Sequence, residues 1–328
     1  MGSIYCPALS GHLVARFLTL VPAPTAVNSV SEAEHPVPSL DARAALRWQQ
    51  LPRSQSPWLH EELASRMIER LHWFREKPAS WLHWEPLIGG VQAHQQLRAL
   101  LPDAACHVAA RQMLTTLQAT RDPAVPLWNP KHWLRSKTPL PLSEDTRVGM
   151  LWANMQLHNE PLPLTLLQRW YRHIDTNGFL MFSCLGPDSL RELRAVYAQQ
   201  GWPEPCQVMT DMHDWGDMLV HTGFAEPVMD MEHITLSYST AQAMVQDLRS
   251  LGRNLHVQRW PTCRSRAWLS RLLAAIESHG ARLSDGRLSL TLEVVYGHAF
   301  KPAPRARLDA TTAVTVEDMR AMLRAGRR

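Results

Sequence analysis

A polar residue ends a strongly apolar stretch near the middle of the chain. Residues 148–154 read Val-Gly-Met-Leu-Trp-Ala-Asn, apolar at nearly every position until Asn154. A strand covered on both faces of a sheet has this pattern. A polar residue at the carboxyl end of such a strand faces the crevice where sheets with helices on both faces bind ligands. Asn154 is therefore a candidate ligand-binding residue.

A helix joins this strand to a second apolar stretch. Residues 178–186 also read as a buried strand, which is entered through the turn Asp175-Thr-Asn-Gly178. Between the two strands, Leu167, Trp170 and Ile174 keep one apolar face at helical spacing. Strand, helix and strand in this order predict a βαβ unit with parallel strands and a right-handed crossover.

The cysteines and histidines do not form a metal-binding pattern. The five cysteines are scattered without a close pair, which argues against a disulfide scaffold or a zinc ribbon. The 16 histidines include no His-x3-His and no His-Glu-x-x-His spacing. We therefore expect no metal site. Unpaired cysteines, and a start that lacks the basic and apolar regions of a signal peptide, favour a cytoplasmic location.

Positive charge is concentrated late in the chain. The net charge is +4, with six arginines between residues 249 and 271 and six more between 305 and 328. A basic face can bind nucleic acid, a membrane or an acidic protein, and the alternative is a solvated face with a loose tail. No apolar run approaches the ~20 residues that a membrane helix needs. We expect neither nucleic acid nor a membrane as a partner.

The order of elements predicts an α/β fold with three regions. Residues 1–38 are rich in Pro, Ser, Ala and Val and are expected to form a mobile N-terminal extension. In residues 39–302, βα units precede two long alternating strands, and a helical insertion at 240–280 separates these strands. This order is typical of a mostly parallel sheet with helices on both faces and an antiparallel pair at one edge. Residues 303–328 form a basic C-terminal tail.

Several segments resemble the malonyl-acyl-carrier-protein O-methyltransferases of biotin synthesis. The resemblance covers roughly residues 40–302 and also extends to the methyltransferase-like assembly factors of respiratory complex I. It implies the class I methyltransferase (Rossmann-like) fold, a mostly parallel sheet with an antiparallel C-terminal edge strand and a helical insertion on the substrate side. The segments that carry it are residues 150–158, 175–183, 188–194, 214–224, 247–254 and 290–297.

The resemblance also implies a reaction. The family is implied to use S-adenosylmethionine to methylate the free carboxylate of a malonyl thioester carried on an acidic acyl-carrier protein. A carboxylate is already a nucleophile at neutral pH, so we expect no catalytic base. The protein would position the reacting groups and exclude water. An arginine clamp suits a carboxylate, and Arg253 and Asn254 are candidates, with surface or cap residues as the alternative interpretation. The arginine-rich late region suits an acidic carrier.

The glycine-rich cofactor motif departs from the family pattern. An acid-x-Gly-x-Gly-x-Gly motif should follow the first strand, whereas residues 83–90 read His-Trp-Glu-Pro-Leu-Ile-Gly-Gly. Gly89 and Gly90 remain as candidate cofactor residues. The acid expected after the second strand, near Arg111, is also missing. Glu85 is a candidate to replace it, with a solvated loop glutamate as the alternative.

Three functions therefore stay open on the sequence alone. The first is an S-adenosylmethionine-dependent carboxyl O-methyltransferase that acts on malonyl-acyl-carrier protein. The second is a non-catalytic relative that lost the cofactor and acts as a binding or assembly partner. A different small-molecule activity on the same scaffold is a third possibility, because fold does not determine chemistry.

Overall fold

A seven-stranded sheet forms the centre of the protein. The computed structural model describes Val37, residues 39–121 and residues 139–304. The strands of the sheet are β1 (Ser80–Trp84), β2 (Ala105–Ala109), β3 (Leu140–Pro141), β4 (Val148–Asn154), β5 (Ile174–Leu185), β6 (Ala225–Tyr238) and β7 (Leu288–Phe300).

The strand order is β3-β2-β1-β4-β5-β7-β6. The pairs on the β1 side are parallel, and β7 is antiparallel to both β5 and β6. This confirms the expected class I methyltransferase architecture, a mostly parallel sheet with antiparallel pairing at the C-terminal end. The structure adds that β7 lies one position inside the edge and that β6 forms the edge itself.

Helices flank the sheet. Two of them, α9 and α10, lie between β6 and β7 in the chain, where the sequence predicts a helical insertion. The α-helices of the described residues are α1 (Ala42–Gln49), α2 (Trp58–Leu71), α3 (Pro86–Gly89), α4 (Val91–Leu100), α5 (Met113–Ala119), α6 (Pro163–His173), α7 (Arg191–Gln199), α8 (Met212–Thr222), α9 (Ala241–Leu251) and α10 (Arg266–His279).

Both faces of the central strands are buried. In β5, Phe179 and Met181 belong to one apolar cluster, whereas Leu180 and Phe182 belong to another on the opposite face. Alternation between two buried faces explains why the central strands are apolar at nearly every position. The βαβ unit predicted around residues 148–186 is β4, α6 and β5, and β4 pairs with β5 in parallel.

Three predicted regions fall outside these residues. The mobile extension predicted at 1–38, apart from Val37, and the basic tail from residue 305 lie outside the described part, as do residues 122–138. Within the described ranges, no helix combines the length and apolar character needed to cross a membrane.

Candidate active site

The loop after β1 keeps a left-handed turn without a glycine at its start. Glu85 has a φ of 51°, a backbone region in which glycine is the usual residue. The single-turn helix α3 follows, and Gly90 then has a φ of 130°. The chain therefore makes two left-handed turns between β1 and α4, where the family motif would place its glycines.

The two remaining glycines are needed because this chain packs closely against them. A Cβ on Gly89 would lie 3.2 Å from His83 Nε2 and 3.3 Å from the carbonyl oxygen of Asn154. A Cβ on Gly90 would lie 2.8 Å from Glu61 Oε2. Gly89 and Gly90 therefore let β4 and α2 approach the loop.

Side chains from the α2 region bind the N-terminus of α4. Glu61 accepts hydrogen bonds from the backbone N–H groups of Gln92 and Ala93, at 3.1 and 3.0 Å. Ser56 Oγ accepts from Val91 N at 3.0 Å and lies 3.3 Å from the carbonyl oxygen of Pro86. Pro57 occupies the N-cap position of α2, and the Ser56 hydroxyl bonds to α4 instead.

Glu85, which follows β1, places its carboxylate next to the end of β2, where the sequence lacks an acid. Its Oε1 accepts hydrogen bonds from the backbone nitrogen and from Nη1 of Arg111, each at 3.0 Å. Arg111 follows β2, so a carboxylate from the end of β1 lies next to the position where the acid after β2 is missing. Glu85 is only 7% exposed, which rules out a solvated loop glutamate.

Arginines surround this carboxylate. Burial raises the pKa of Glu85, while the charges of Arg111 and Arg53 act in the opposite direction. Burial lowers the pKa of Arg53 and of Arg169, and nearby arginines lower it further. The Arg169 guanidinium lies 4.8 Å from the ring centroid of Trp84. The ends of β1 and β2 thus present one buried carboxylate in a strongly positive environment.

Asn154 connects β4 to the loop after β1. The side chain is fully buried, and its Nδ2 donates to the carbonyl oxygens of His60, at 2.8 Å, and of Gly89. Its Oδ1 accepts a hydrogen bond from Ser183 Oγ, on the residue that pairs with it in β5. Asn154 therefore holds the loop, α2 and β5 together at the carboxyl edge of the sheet.

A cavity of about 780 Å³ opens beside this edge. Its wall is formed by α2, the segment after β4, the end of β5, α7, α9 and α10. Met155, which follows Asn154 directly, lies in the wall, as does His60. His60 also approaches the carbonyl oxygen of Ile88 in α3 through Nδ1, at 2.8 Å. His60 therefore touches both the loop after β1 and the cavity.

Arg253 lines the cavity but its guanidinium faces backbone oxygens. Nη1 donates to the carbonyl oxygens of Arg249 and of Gly252 at the C-terminal end of α9. The guanidinium carbon lies 5.1 Å from the ring centroid of Trp48. Part of the guanidinium is thus engaged in ending α9.

Asn254, also in the cavity wall, holds the loop after α9 in place. Its Nδ2 donates to the carbonyl oxygen of Glu204 at 2.6 Å, and its Oδ1 accepts from the backbone of His256 at 2.9 Å. The predicted residues therefore form two groups. Glu85, Gly89, Gly90 and Asn154 lie around the loop after β1, whereas Arg253 and Asn254 lie in the cavity wall.

Four arginines line the same cavity, namely Arg249, Arg253, Arg264 and Arg266. Within the part of the chain that the structure describes, no carboxylate forms an ion pair with any of them. Arg264 is half-buried, stacks over the ring of Trp268 with its guanidinium carbon 3.8 Å from the centroid, and contacts Tyr197 Oη at 3.3 Å. The cavity therefore has a mostly apolar interior and a positively charged margin.

Curated relatives match most of the chain. A malonyl-[acyl-carrier protein] O-methyltransferase of Gallionella capsiferriformans is 35% identical over 265 residues, which cover 78% of this chain and 88% of that protein. A second such enzyme, from Laribacter hongkongensis, is 36% identical over a segment that covers 76% of this chain and 86% of that protein. This chain belongs to the malonyl-[acyl-carrier protein] O-methyltransferase family. The resemblance seen in the sequence is thereby confirmed, although no family model matches the chain.

Solved structures give weaker matches. The YcgJ protein of Bacillus subtilis covers 74% of this chain at 9% identity, with a TM-score of 0.47. A phosphoethanolamine N-methyltransferase of Haemonchus contortus, in complex with S-adenosylhomocysteine, covers 74% at 11% identity, with a TM-score of 0.40.

Three buried polar residues at the cavity of this malonyl-[acyl-carrier protein] O-methyltransferase family member were not predicted from the sequence. They are His60, His158 and Gln207. Burial lowers the pKa of His60 to about 4 and that of His158 to about 3, so both rings are neutral at pH 7. Each lies on a different element, so no spacing pattern in the sequence could have indicated them.

Proposed function

We propose that this protein transfers a methyl group from S-adenosylmethionine to the free carboxylate of a malonyl group on an acyl-carrier protein. Membership of the family supports this reaction, since its curated relatives carry that name. The observation that carries the proposal is the cavity, which joins Met155, at the end of β4, to a margin of four arginines. A donor at the sheet edge and an acidic carrier at the margin would meet across it.

The residues at the sheet edge fit the cofactor. Glu85 Oε1 is held by Arg111, and no hydrogen bond reaches its Oε2 from the other described residues. That oxygen is an acceptor for ribose hydroxyls. The backbone of Pro86 to Gly90 and the end of β4 would border the rest of the molecule. S-adenosylmethionine supplies a methyl group on a positively charged sulfur, and its transfer to a carboxylate oxygen forms a methyl ester and leaves a neutral thioether.

The chain has to position the acceptor and does not have to activate it. A carboxylate is a nucleophile without a base, so a neutral site that fixes its direction is enough. His60 and His158 are neutral at pH 7 and therefore act as hydrogen-bonding groups rather than as cations. The apolar wall excludes water from the reacting groups.

The arginine margin suits an acidic carrier protein. Exposed cations attract an acidic partner over distances set by the ionic strength. Arg249 and Arg266 are exposed at the cavity margin and are the residues that we assign to this contact. The free thiols of Cys184 and Cys206 suit the cytoplasm as the place of the reaction.

Calorimetry with S-adenosylmethionine and a methyl-transfer assay with malonyl-acyl-carrier protein test the proposal. Glu85→Gln should raise the Kd for the cofactor about tenfold or more, because it weakens a charged acceptor. The exposed Glu69, replaced in Glu69→Gln, is the matched control and should have no effect. Folded wild-type protein that binds no cofactor at millimolar concentration would overturn the reaction, and an unchanged Kd for Glu85→Gln would remove Glu85 from the site.

A further inference from the structure

Two hydrogen-bond acceptors in the cavity wall have no donor within the described part of the chain. One is Gln207 Oε1, which is buried and accepts no hydrogen bond. The other is Nε2 of His60. Both residues are only 2% exposed. Buried polar groups are normally hydrogen-bonded, so two such acceptors in one wall indicate a ligand that donates to them.

The orientation of the Gln207 amide is set by its nitrogen. Nε2 donates to the carbonyl oxygen of His158 at 3.0 Å and to Asn159 Oδ1 at 3.2 Å. A carbonyl oxygen can only accept, so the amide nitrogen has to lie on this side and Oε1 on the other. The reversed amide would bring oxygen against oxygen. Oε1 is therefore an acceptor with a fixed direction.

The ring of His60 presents the second acceptor. Its Nδ1 lies 2.8 Å from the carbonyl oxygen of Ile88, a contact that requires the proton on Nδ1. The ring is neutral at pH 7, because burial lowers its pKa to about 4. A neutral imidazole has one N–H, so Nε2 has a free lone pair and can only accept.

Both acceptors belong to the end of the cavity next to β4. The carbonyl oxygen of His60 accepts a hydrogen bond from Asn154, the last residue of β4, at 2.8 Å. Gln207 bonds to His158 in the 3-10 helix Leu157–Asn159, which follows β4. The two histidine rings are close enough that a charge on His60 lowers the pKa of His158. The cavity therefore has acceptors near the place of methyl transfer and arginines at its margin.

These acceptors do not match the malonyl group. A carboxylate at neutral pH and a thioester offer only acceptors, and two acceptors that face each other repel. The donors of a carrier-bound substrate lie in the phosphopantetheine arm that joins the acyl group to the carrier. This arm has two amide N–H groups between its sulfur and its phosphate. A cavity of about 780 Å³ has room for such an arm behind the malonyl group.

The order of groups along the arm agrees with the order of groups along the cavity. The phosphate lies at the carrier end of the arm, and the arginines at the cavity margin suit an anion. The two amides lie between the phosphate and the thioester. The thioester end then reaches Met155, which follows β4 directly.

We propose that Gln207 Oε1 and His60 Nε2 accept hydrogen bonds from the amide N–H groups of the pantetheine arm. This inference rests on the proposed function, because it assigns residues that recognise the substrate of the same site. The two residues determine specificity for the arm. They also fix the depth at which the malonyl carboxylate meets the methyl group.

Analogues of the arm test this recognition directly. Acyl-carrier protein is loaded with malonyl-phosphopantetheine in which one amide N–H at a time is replaced by an ester oxygen, which keeps the length and removes the donor. At least one replacement should raise Kd and lower kcat/KM about tenfold or more, because it leaves a buried acceptor unpaired. Values within about twofold of the natural arm for both analogues would overturn the inference.

Two variants assign the contacts to residues. His60→Asn keeps a donor for the carbonyl oxygen of Ile88, since the asparagine amide matches Nδ1, and deletes Nε2. Gln207→Leu deletes Oε1. In the variant that lacks the partner of a given N–H, replacing that N–H should no longer weaken binding. His72→Asn and Gln200→Leu are the matched controls, because both residues are exposed, and they should keep the full effect.

Circular dichroism establishes that these variants are folded. An effect of the ester analogues that persists unchanged in both His60→Asn and Gln207→Leu would contradict the assignment.

The ammonium group of S-adenosylmethionine is a different source of N–H donors, and calorimetry distinguishes it. If the acceptors served that group, the two variants would weaken cofactor binding, and the arm analogues would behave like the natural arm; this result would overturn the inference. Methyl transfer to malonyl-acyl-carrier protein that is indifferent to the amide N–H groups refutes only this inference. Carrier binding that depends on them, without methyl transfer, refutes only the proposed reaction.

Discussion

Replacing Asn154 by alanine should destabilise the protein strongly. The side chain is fully buried and makes three hydrogen bonds, to the carbonyl oxygens of His60 and Gly89 and from Ser183 Oγ. Alanine would remove the hydrogen bond that each of these three partners makes to Asn154. In a dry interior, an unpaired polar group costs about 1–3 kcal/mol. The free energy of unfolding should fall by at least about 3 kcal/mol.

Ser183 provides the internal comparison. Ser183→Ala removes one of the three bonds to Asn154 and a second contact, from the backbone of Met155 at 3.3 Å. It should cost about 1–2 kcal/mol, less than Asn154→Ala. In the Asn154→Ala background the same change should cost about 1 kcal/mol less than in the wild type, because the shared bond is already gone.

Urea denaturation of the four proteins in this cycle measures these free energies. A loss of stability below 1 kcal/mol for Asn154→Ala would refute the assignment, as would additive effects of the two substitutions. Cofactor affinity adds a second readout. Since Asn154 holds the carbonyl of Gly89, the variant should also bind S-adenosylmethionine more weakly while it remains folded.

Three further predictions follow from the site. Gly90→Ala should lower the free energy of unfolding by about 1–3 kcal/mol, because Gly90 has a φ of 130° and a Cβ would meet Glu61. The control is Gly252→Ala, which has open space around it and should lower the free energy of unfolding much less in the same urea titration. Burial raises the pKa of Glu85. A carboxyl group with a raised pKa contributes stability at low pH that is lost as the pH rises through the folded-state pKa. Wild type should therefore lose unfolding free energy relative to Glu85→Gln as the pH rises above the ordinary pKa of a glutamate, about 4; a constant difference would contradict this. Arg249→Ala combined with Arg266→Ala should raise KM for a carrier-bound acceptor severalfold, and more so at low salt, without changing KM for the same acyl group on free pantetheine; equal effects on both substrates would argue against a carrier contact.

Local patterns predicted the sheet well. The apolar strands predicted around residues 148–154 and 178–186 are β4 and β5, and the two long alternating strands on either side of the helical insertion are β6 and β7. Each of these patterns arises because a face of the strand is buried, and burial shows in the apolar periodicity of the strand's own sequence. The position of β7 between β5 and β6 depends on pairing between distant segments, so the sequence of no single segment predicts it.

The site was predicted only in part. The sequence suggested Glu85 as a candidate to replace the missing acid, but its contact with Arg111 brings together residues that follow two different strands. The hydrogen bond between Ser56 and the start of α4 likewise joins residues that are distant in the sequence. The cavity was missed because its wall combines side chains from elements spread over more than half of the chain. No local pattern contains that information.

The position of β7 has a consequence for synthesis on the ribosome. β7 closes the sheet by pairing with β5 on one side and β6 on the other, yet among the described strands it is made last. About 100 residues separate the end of β5 from the start of β7, which at ordinary translation rates is about 5–20 seconds. During that time β5 presents an unpaired, strongly apolar edge, the kind of surface that pairs with other chains. We therefore expect nascent chains that stall or end before Leu288 to aggregate and to depend on chaperones, whereas chains that include β7 cover this edge themselves.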